Sequence, residues 1–367
     1  MALYACLGGS EKLIPLQPTS SEVICWLARN ITINQILSNC VIAAESKLSL
    51  LHTEVFMSKI AFVFSGQGAQ HIGMAKDICN HYTEATEIFK QASSALGFDI
   101  EDMVFNGDDE TLKITKNTQP ALVTASIACL QPLLKEGITA EYAAGLSLGE
   151  YSAHVYSGTF SFADAVRLVR KRGKFMQEAV PLGVGSMTAI LGLDRETVFE
   201  ACSMAKGEGI VEPANFNCPE QIVISGEVKA VEKAAAIALD KGAKRAVPLA
   251  VSAPFHCSML APAGERLKEE LASVNINPMR VPVLANVTGD IVHSEAYVKE
   301  SLVNQVSRCV MWEDCVRTMI AKGVDTFIEI GPGKVLSGFI KKIDRDVSVL
   351  NVEDMASLEA VISAVKR

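Results

Sequence analysis

Between Gly145 and Gly149 the chain reads Gly-Leu-Ser-Leu-Gly, a GxSxG pattern that follows an apolar run, Glu141 to Leu146, and precedes a helical pattern. At such a strand-to-helix turn a serine is held in a strained backbone conformation that lifts its hydroxyl clear, while the flanking glycines let strand and helix approach. The N–H groups and dipole of the following helix favour negative charge developing there. Ser147 is therefore the candidate nucleophile, and the plainer alternative is a serine N-cap between packing glycines.

A serine nucleophile needs a neighbouring base, and six histidines compete for the role. His52 lies in an N-terminal stretch of different character. His154 shares a helix face with Ser147, but seven residues of helix rise about 10 Å, too far for proton transfer. His81 and His293 sit at a helix start and beside a Gly-Asp turn, which predicts solvated side chains, and His71 follows a glycine loop with no base context. His256, in Val251-Ser252-Ala253-Pro254-Phe255-His256, stands where an apolar strand gives way to a Pro-fixed turn, the kind of place an α/β body presents site residues. It is the expected base. Cys257 beside it reads as a buried thiol, because adjacent side chains rarely face each other.

A third residue breaks an amphipathic pattern. Over Phe162 to Glu178, Ala165, Val169, Arg172 and Met176 share one stripe, while Arg167, Arg170 and Lys174 form the face expected in water. Arg172 thus points with the apolar residues, and a buried guanidinium needs an anionic partner. That partner is either an internal Asp or Glu or the carboxylate of a substrate gripped by two parallel hydrogen bonds.

Elements able to position these groups are legible around them. Lys59 to Phe64 (KIAFVF) reads as a buried strand running into Ser65-Gly66-Gln67-Gly68, and helical periodicity follows over Tyr82 to Ala95 and Pro120 to Lys135. From Ser186 to Leu249 the order becomes strand, helix, strand, strand, helix, strand: Met187 to Leu191, Arg195 to Lys206, Ile210 to Ala214, Gln221 to Ser225, Val228 to Lys241, Arg245 to Pro248. This βαββαβ order is the signature of a ferredoxin-like unit. Beyond it come a helix from Ser258, a strand Val283 to Asn286, helices to Lys322, a strand Thr326 to Ile330, and a last strand and helix. The fold class is α/β, with a mostly parallel sheet covered by helices on both faces and interrupted by a small α+β subdomain. The expected division is a body of residues 57–184 and 251–367, a subdomain of residues 185–250, and an extension of residues 1–56. The extension has few charges and neither the cationic start of a secretory signal nor the arginine content of a transit peptide. Glu22 to Leu27 and Ile36 to Leu51 could form short helices there, and Met57, directly before a clear strand, reads as a natural start.

Composition narrows the function classes. The 367 residues are 49% hydrophobic and 21% charged, enough to build a core and too apolar for wholesale disorder. No uninterrupted apolar run reaches the roughly 18 residues of a membrane span. A net charge of −8 argues against nucleic acid as partner. Ten cysteines without a CxxC or metal spacing predict reduced thiols in a soluble, cytoplasmic protein, with no bound metal. Gly331-Pro332-Gly333-Lys334 lacks the phosphate-loop spacing and reads as a strand-to-helix turn. Lys241, Lys244 and Arg245 form a small basic cluster, either a solvated face or a contact for phosphates or an acidic carrier.

Six ordered motifs carry a resemblance: Phe64-Ser65-Gly66-Gln67-Gly68-Ala69-Gln70, Gly145-Leu146-Ser147-Leu148-Gly149-Glu150-Tyr151, Arg172-Gly173-Lys174-Phe175-Met176-Gln177, Asn215-Phe216-Asn217, Pro254-Phe255-His256 and Glu329-Ile330-Gly331-Pro332-Gly333-Lys334-Val335-Leu336. From about Met57 to the C-terminus the chain resembles the malonyl-CoA:acyl-carrier-protein transacylases of type II fatty acid synthesis. The resemblance implies an α/β-hydrolase-like body with a ferredoxin-like subdomain and a ping-pong transfer without a cofactor. Malonyl-CoA is the donor, and the partner is acyl carrier protein bearing a phosphopantetheine thiol. It further implies Ser147 and His256 as the catalytic pair, with the second ring nitrogen of His256 oriented by the backbone carbonyl of Gln305 in place of an acid. The oxyanion hole would be the backbone N–H groups of Gln67 and Leu148, Arg172 would bind the free carboxylate, and Asn215 and Asn217 would line the site. Phe255 resembles the malonyl-selective pattern of related polyketide acyltransferases. One departure stands out: many members have His before the nucleophile, and Leu146 here removes that polar wall group. A discrete polyketide acyltransferase, a thioesterase-like hydrolase and a non-catalytic scaffold are the rival expectations.

Overall fold

The computed structural model describes residues 58–251 and 253–366, with one two-residue antiparallel pair, Tyr4–Ala5 against Ile14–Pro15, from the N-terminal stretch. Residues 1–57 and 58–367 form separate compact units. The helices expected over Glu22 to Leu27 and Ile36 to Leu51 lie outside the described residues.

In the larger unit a four-stranded parallel sheet has the order β8-β7-β1-β2, where β1 is Lys59–Phe64, β2 Tyr142–Gly145, β7 Val324–Ile330 and β8 Ser348–Val352. Side chains alternate between its faces with the period of two that a strand imposes. Ile60, Phe62, Phe64, Ile328 and Ile330 enter one core, and Ala61, Val63, Ala144 and Phe327 enter another. Both faces are buried, which is why β1 is apolar almost throughout. The first core is closed by α1 (Thr83–Leu96), the central α2 (Thr115–Lys135) and α4 (Phe162–Ala179); the second by α9 (Trp312–Ala321) and α10 (Val335–Ile343). The α2 helix begins a turn earlier than its prolines suggest, with its first turn anchored by Asn117 and Thr118 N–H donating to the Ile114 carbonyl.

Register brings the loops of the site together. Phe64 pairs with both Gly145 and Ile330, so β1, β2 and β7 end side by side, and the turns leaving them open on one edge of the sheet. The expected strand at Val283 to Asn286 is mostly irregular: Leu284–Ala285 pairs antiparallel with Asp290–Ile291, and Val283 bridges Ala143.

The second sheet is antiparallel, in the order β4-β5-β3-β6, with β3 Gly185–Leu191, β4 Val211–Cys218, β5 Gln221–Glu227 and β6 Arg245–Pro248. Ile190, Ile222 and Ile224 pack with α5 (Arg195–Ala205) and α6 (Val228–Asp240), while Met187, Ala189 and Val223 join the larger core. The β4 strand runs four residues further than its sequence pattern suggested, because its ladder with β5 continues to Cys218 opposite Gln221, and Ala214 and Phe216 also exchange backbone hydrogen bonds with Val310 (2.8 and 2.9 Å). No helix among the described residues is long and apolar enough to cross a membrane.

Candidate active site

Ser147 sits between β2 and α3 (Gly149–Ser157) with φ of +50°, the left-handed region that a residue with a Cβ enters only at a cost of about 1–2 kcal/mol. The surroundings over-determine this conformation. A Cβ on Gly145 would collide with the Gly149 backbone, and one on Gly149 with the Phe64 carbonyl, so no other residue fits at either glycine. Leu146 N–H donates to the Phe64 carbonyl (3.2 Å), and Ser147 N–H donates to Asn286 Oδ1 (2.6 Å). Asn286, wholly buried, donates in turn from Nδ2 to the Gly145 carbonyl (2.8 Å), pinning the turn from both sides.

The loop after β1 approaches the same turn. A Cβ on Gly66 would stand 2.6 Å from the Leu146 carbonyl oxygen, so the Gln67 backbone runs alongside the start of α3. Among the described residues, neither Gln67 N–H nor Leu148 N–H donates a hydrogen bond to the protein. Leu148 is the residue at which α3 starts, where N–H groups have no intrahelical acceptor.

His256 also has a left-handed backbone, with φ of +59°. Its loop is fixed by Glu212 of β4, whose carboxylate accepts from the Ser258 N–H and hydroxyl (2.8 and 2.7 Å). The ring is buried, and its Nδ1 donates to the Gln305 backbone carbonyl at 2.8 Å, which leaves Nε2 as the acceptor of the neutral ring. That carbonyl belongs to the last turn of α8 (Glu295–Ser307), where carbonyls lack intrahelical partners and the dipole is negative. The fold therefore aims a helix C-terminus at the imidazole and a helix N-terminus at the serine. Burial, aided by the Arg172 charge and opposed by the Gln305 and Arg308 carbonyls, pushes the His256 pKa down to about 3. The ring is neutral at physiological pH, the form a general base requires.

Arg172 is only 1% exposed. Of the two partners open to it in the sequence, the internal ion pair is absent: among the described residues no carboxylate lies within ion-pair distance. Its Nη2 donates to Ser147 Oγ (3.1 Å) and to Gln305 Oε1 (2.9 Å), its guanidinium carbon lies 5.4 Å from the Tyr151 ring centre, and its Nε has no hydrogen-bond partner. Nε and Nη2 share the guanidinium edge that a carboxylate takes by two parallel bonds. Here that edge faces the serine oxygen. Burial lowers the Arg172 pKa from its ordinary value, with Tyr151 and Glu150 opposing the shift.

Gln305 proves to be more than a source of a carbonyl. Its side chain, wholly buried, accepts from Arg172 and donates from Nε2 to the Ser147 carbonyl (2.9 Å) and to Glu150 Oε2 (2.6 Å). Glu150 is wholly buried too, and its Oε2 also accepts from Asn286 N–H (3.0 Å). Burial raises its pKa to about 7 against the pull of the Asn286 N–H, the Gln305 amide and Arg172. Sequence reading missed Glu150 and Asn286. The position of Glu150 directly after the GxSxG turn was the available signal, whereas nothing local marks Asn286.

The other expected residues stand apart. Phe255 is buried in the larger core, to which Met187 and Ala189 also belong. Asn215 and Asn217 lie mostly buried on β4, with Asn217 Oδ1 unpartnered, and no hydrogen bond joins either to Ser147, His256 or Arg172. Nor does a hydrogen bond link Ser147 Oγ to the His256 ring; the serine oxygen accepts from Arg172 instead, and its O–H is left to donate. His71, His81 and His293 are exposed, and His154 is buried with neither ring nitrogen partnered. The basic cluster disperses: Lys241 pairs with Glu200 (2.8 Å) and Lys244 with Glu220 (2.9 Å). At the Gly331 turn the Glu329 carboxylate accepts from the Leu336 and Ser337 N–H groups, filling the helix N-terminus that a phosphate would need.

A half-buried serine in a strained turn, an oriented neutral histidine, free backbone donors and a buried cation make a site suited to acyl transfer with an anionic acyl group. Residues 61–364 match the family described as acyl transferase domain. The malonyl CoA-acyl carrier protein transacylase of Bacillus subtilis is 49% identical over 311 residues, 84% of this chain and 98% of that one. Its counterpart in Escherichia coli K12 is 44% identical over 83% of this chain and 99% of its own. Among solved structures, the malonyl CoA-acyl carrier protein transacylase of Clostridium perfringens superposes with a TM-score of 0.82 at 49% identity, covering 84% of this chain and 98% of that one. A malonyl-transacylase in complex with its type II PKS acyl-carrier protein does so with a TM-score of 0.82 at 42% identity, covering 84% and 100%. The chain belongs to the acyl transferase domain family, among the malonyl CoA-acyl carrier protein transacylases.

Proposed function

We propose that the chain moves a malonyl group from malonyl-CoA to the phosphopantetheine thiol of acyl carrier protein through a malonyl ester on Ser147. The single observation that carries this reading is the unpartnered Nε edge of Arg172 facing the nucleophile. A substrate carboxylate taking that edge replaces Ser147 Oγ as acceptor of Arg172 Nη2, and the serine hydroxyl donates to His256. Oγ attacks the thioester carbon as its proton passes to His256 Nε2, and the oxyanion is received by the Gln67 and Leu148 N–H groups. Collapse expels CoA, whose sulfur takes the proton back. The carrier thiol then attacks the ester, again giving its proton to His256, and Ser147 leaves with it. No atom changes oxidation state, so the transfer needs no redox cofactor. Asn215, Asn217 and Phe255 would line the acyl pocket without touching the reacting atoms.

The order β4-β5-β3-β6 supports reading residues 185–250 as a ferredoxin-like subdomain inserted into an α/β-hydrolase-like body of residues 57–184 and 251–367. The surrounding chemistry, a CoA thioester and a carrier thiol, fits the cytoplasm and no membrane or nucleic-acid partner. The solved complex with a PKS carrier favours one second reading, a polyketide acyltransferase, which transfer rates to the two kinds of carrier would separate.

The test is intact-protein mass after brief incubation with malonyl-CoA, beside Ser147→Ala. One malonyl adduct, absent in the variant and removed by acyl carrier protein, is expected. Steady CoA release without an adduct would replace the transferase with a hydrolase.

A further inference from the structure

Glu150 and Arg172 are both buried and joined through one side chain, Gln305, whose Oε1 accepts from the arginine while its Nε2 donates to the glutamate. We infer that Glu150 is the counter-charge of Arg172 in the substrate-free site, and that an arriving substrate carboxylate takes over this role while Glu150 binds a proton from solvent. The inference rests on the reading that Arg172 receives the malonyl carboxylate.

With one cation and one carboxylate the empty site is neutral. A second carboxylate would leave it with an uncompensated buried negative charge, which costs several kcal/mol unless a group neutralises. Glu150 is built to be that group. Its Oε1 is buried and accepts no hydrogen bond, so a proton placed there breaks no existing contact. Its Oε2 keeps both the Asn286 and the Gln305 bond whether the acid is charged or neutral. With its pKa raised to about 7, the proton costs little near neutrality.

The other titratable groups facing this carboxyl are few. Tyr151 and His154 share α3, with His154 Nε2 4.0 Å from Oε1; Arg172 comes from α4 and Cys315 from α9. Burial pushes the Cys315 thiol well above its ordinary value and drops His154 to about 3, so neither exchanges a proton between pH 6 and 8. The Asn117–Leu134 stretch of α2 carries no charged residue, and the strand ends at Phe64 and Gly145 carry no ionisable side chain. His256, on the far side of Gln305, is the competing acceptor.

The balance is one proton taken from solvent per malonyl-CoA bound, with no bond made or broken in the ligand. The experiment uses the full chain carrying Ser147→Ala, titrated calorimetrically with malonyl-CoA and with acetyl-CoA in two buffers of different ionisation enthalpy. At pH 8 nearly one proton is expected with malonyl-CoA, shrinking to about a tenth at pH 6, and none with acetyl-CoA. The malonyl-CoA Kd should weaken roughly fivefold from pH 7 to 8 relative to that of acetyl-CoA. Adding Glu150→Gln should abolish both effects; uptake that persists in it would overturn the inference. Should that variant fail to fold, adding His256→Gln to Ser147→Ala decides: continued uptake supports Glu150, and its loss assigns the proton to His256. Tight malonyl-CoA binding without uptake overturns the inference alone. Failure to prefer malonyl-CoA over acetyl-CoA overturns the role of Arg172 and the inference with it.

Discussion

Replacing Arg172 by methionine removes the charge and keeps much of the volume, and its effect should depend on the acyl group offered. A malonyl carboxylate on the Nε–Nη2 edge gains two charge-assisted hydrogen bonds, each worth about 1.5–3 kcal/mol. Their loss amounts to about 3–6 kcal/mol, or roughly 10²- to 10⁴-fold in kcat/KM for malonyl transfer. An acetyl group presents a methyl to the same edge and should lose less than about tenfold. The assay is transfer from malonyl-CoA and from acetyl-CoA to acyl carrier protein with one preparation of the variant. With the guanidinium gone, Glu150 loses its counter-charge and takes a proton instead, so the methionine variant should melt close to the native chain below about pH 7. Equal losses on both donors in a normally melting variant would refute the carboxylate-clamp reasoning.

Three further outcomes follow from the geometry. Ser147→Gly should be more stable than Ser147→Ala by about 0.5–1 kcal/mol in urea unfolding, since only glycine relieves the left-handed backbone there; a more stable alanine variant would contradict the strain. Asn286→Ala should cost about 2–4 kcal/mol and most of the activity, because it strips partners from the buried Ser147 N–H and Gly145 carbonyl; an unchanged melting temperature would remove Asn286 from the positioning of the turn. His154 has a folded pKa of about 3, below its unfolded value near 6.5, so the unfolded chain gains a proton first as pH falls and stability drops below about pH 6.5. His154→Leu should therefore gain about 2 kcal/mol relative to the native chain on going from pH 7 to pH 5; parallel pH dependences would show that the buried ring is not held neutral.

What the sequence revealed of this site was whatever a local pattern can carry. Ser147 was legible because a strand-turn-helix context leaves a contiguous trace, and Arg172 because a charge in an apolar stripe violates helical periodicity. The partner of Arg172 was not legible, since choosing between an ion pair and a ligand needs the positions of every carboxylate in the fold. Gln305 and Asn286 sit 158 and 139 residues from Ser147, and the bonds that make them central are long-range and side-chain specific. The strand at β4 was read four residues short because its last part, Asn215 to Cys218, is polar at two positions yet is held by β5 on one side and bridged by Val310 on the other, pairings that no periodicity in β4 records. The basic cluster near Lys244 looked like one patch in sequence, and distant acidic partners divide it in space.

Using a main-chain carbonyl to orient His256 has a genetic consequence. A histidine steered by an aspartate can be disabled by changing one codon, whereas every amino acid supplies a carbonyl at position 305. The orienting oxygen is thus buffered against missense change, even though the Gln305 side chain is not. Its weakness is of another kind: inserting or deleting a single residue in α8 would swing the carbonyl about 100° around the helix axis. This helix should accumulate substitutions at its outer positions and refuse any change of length.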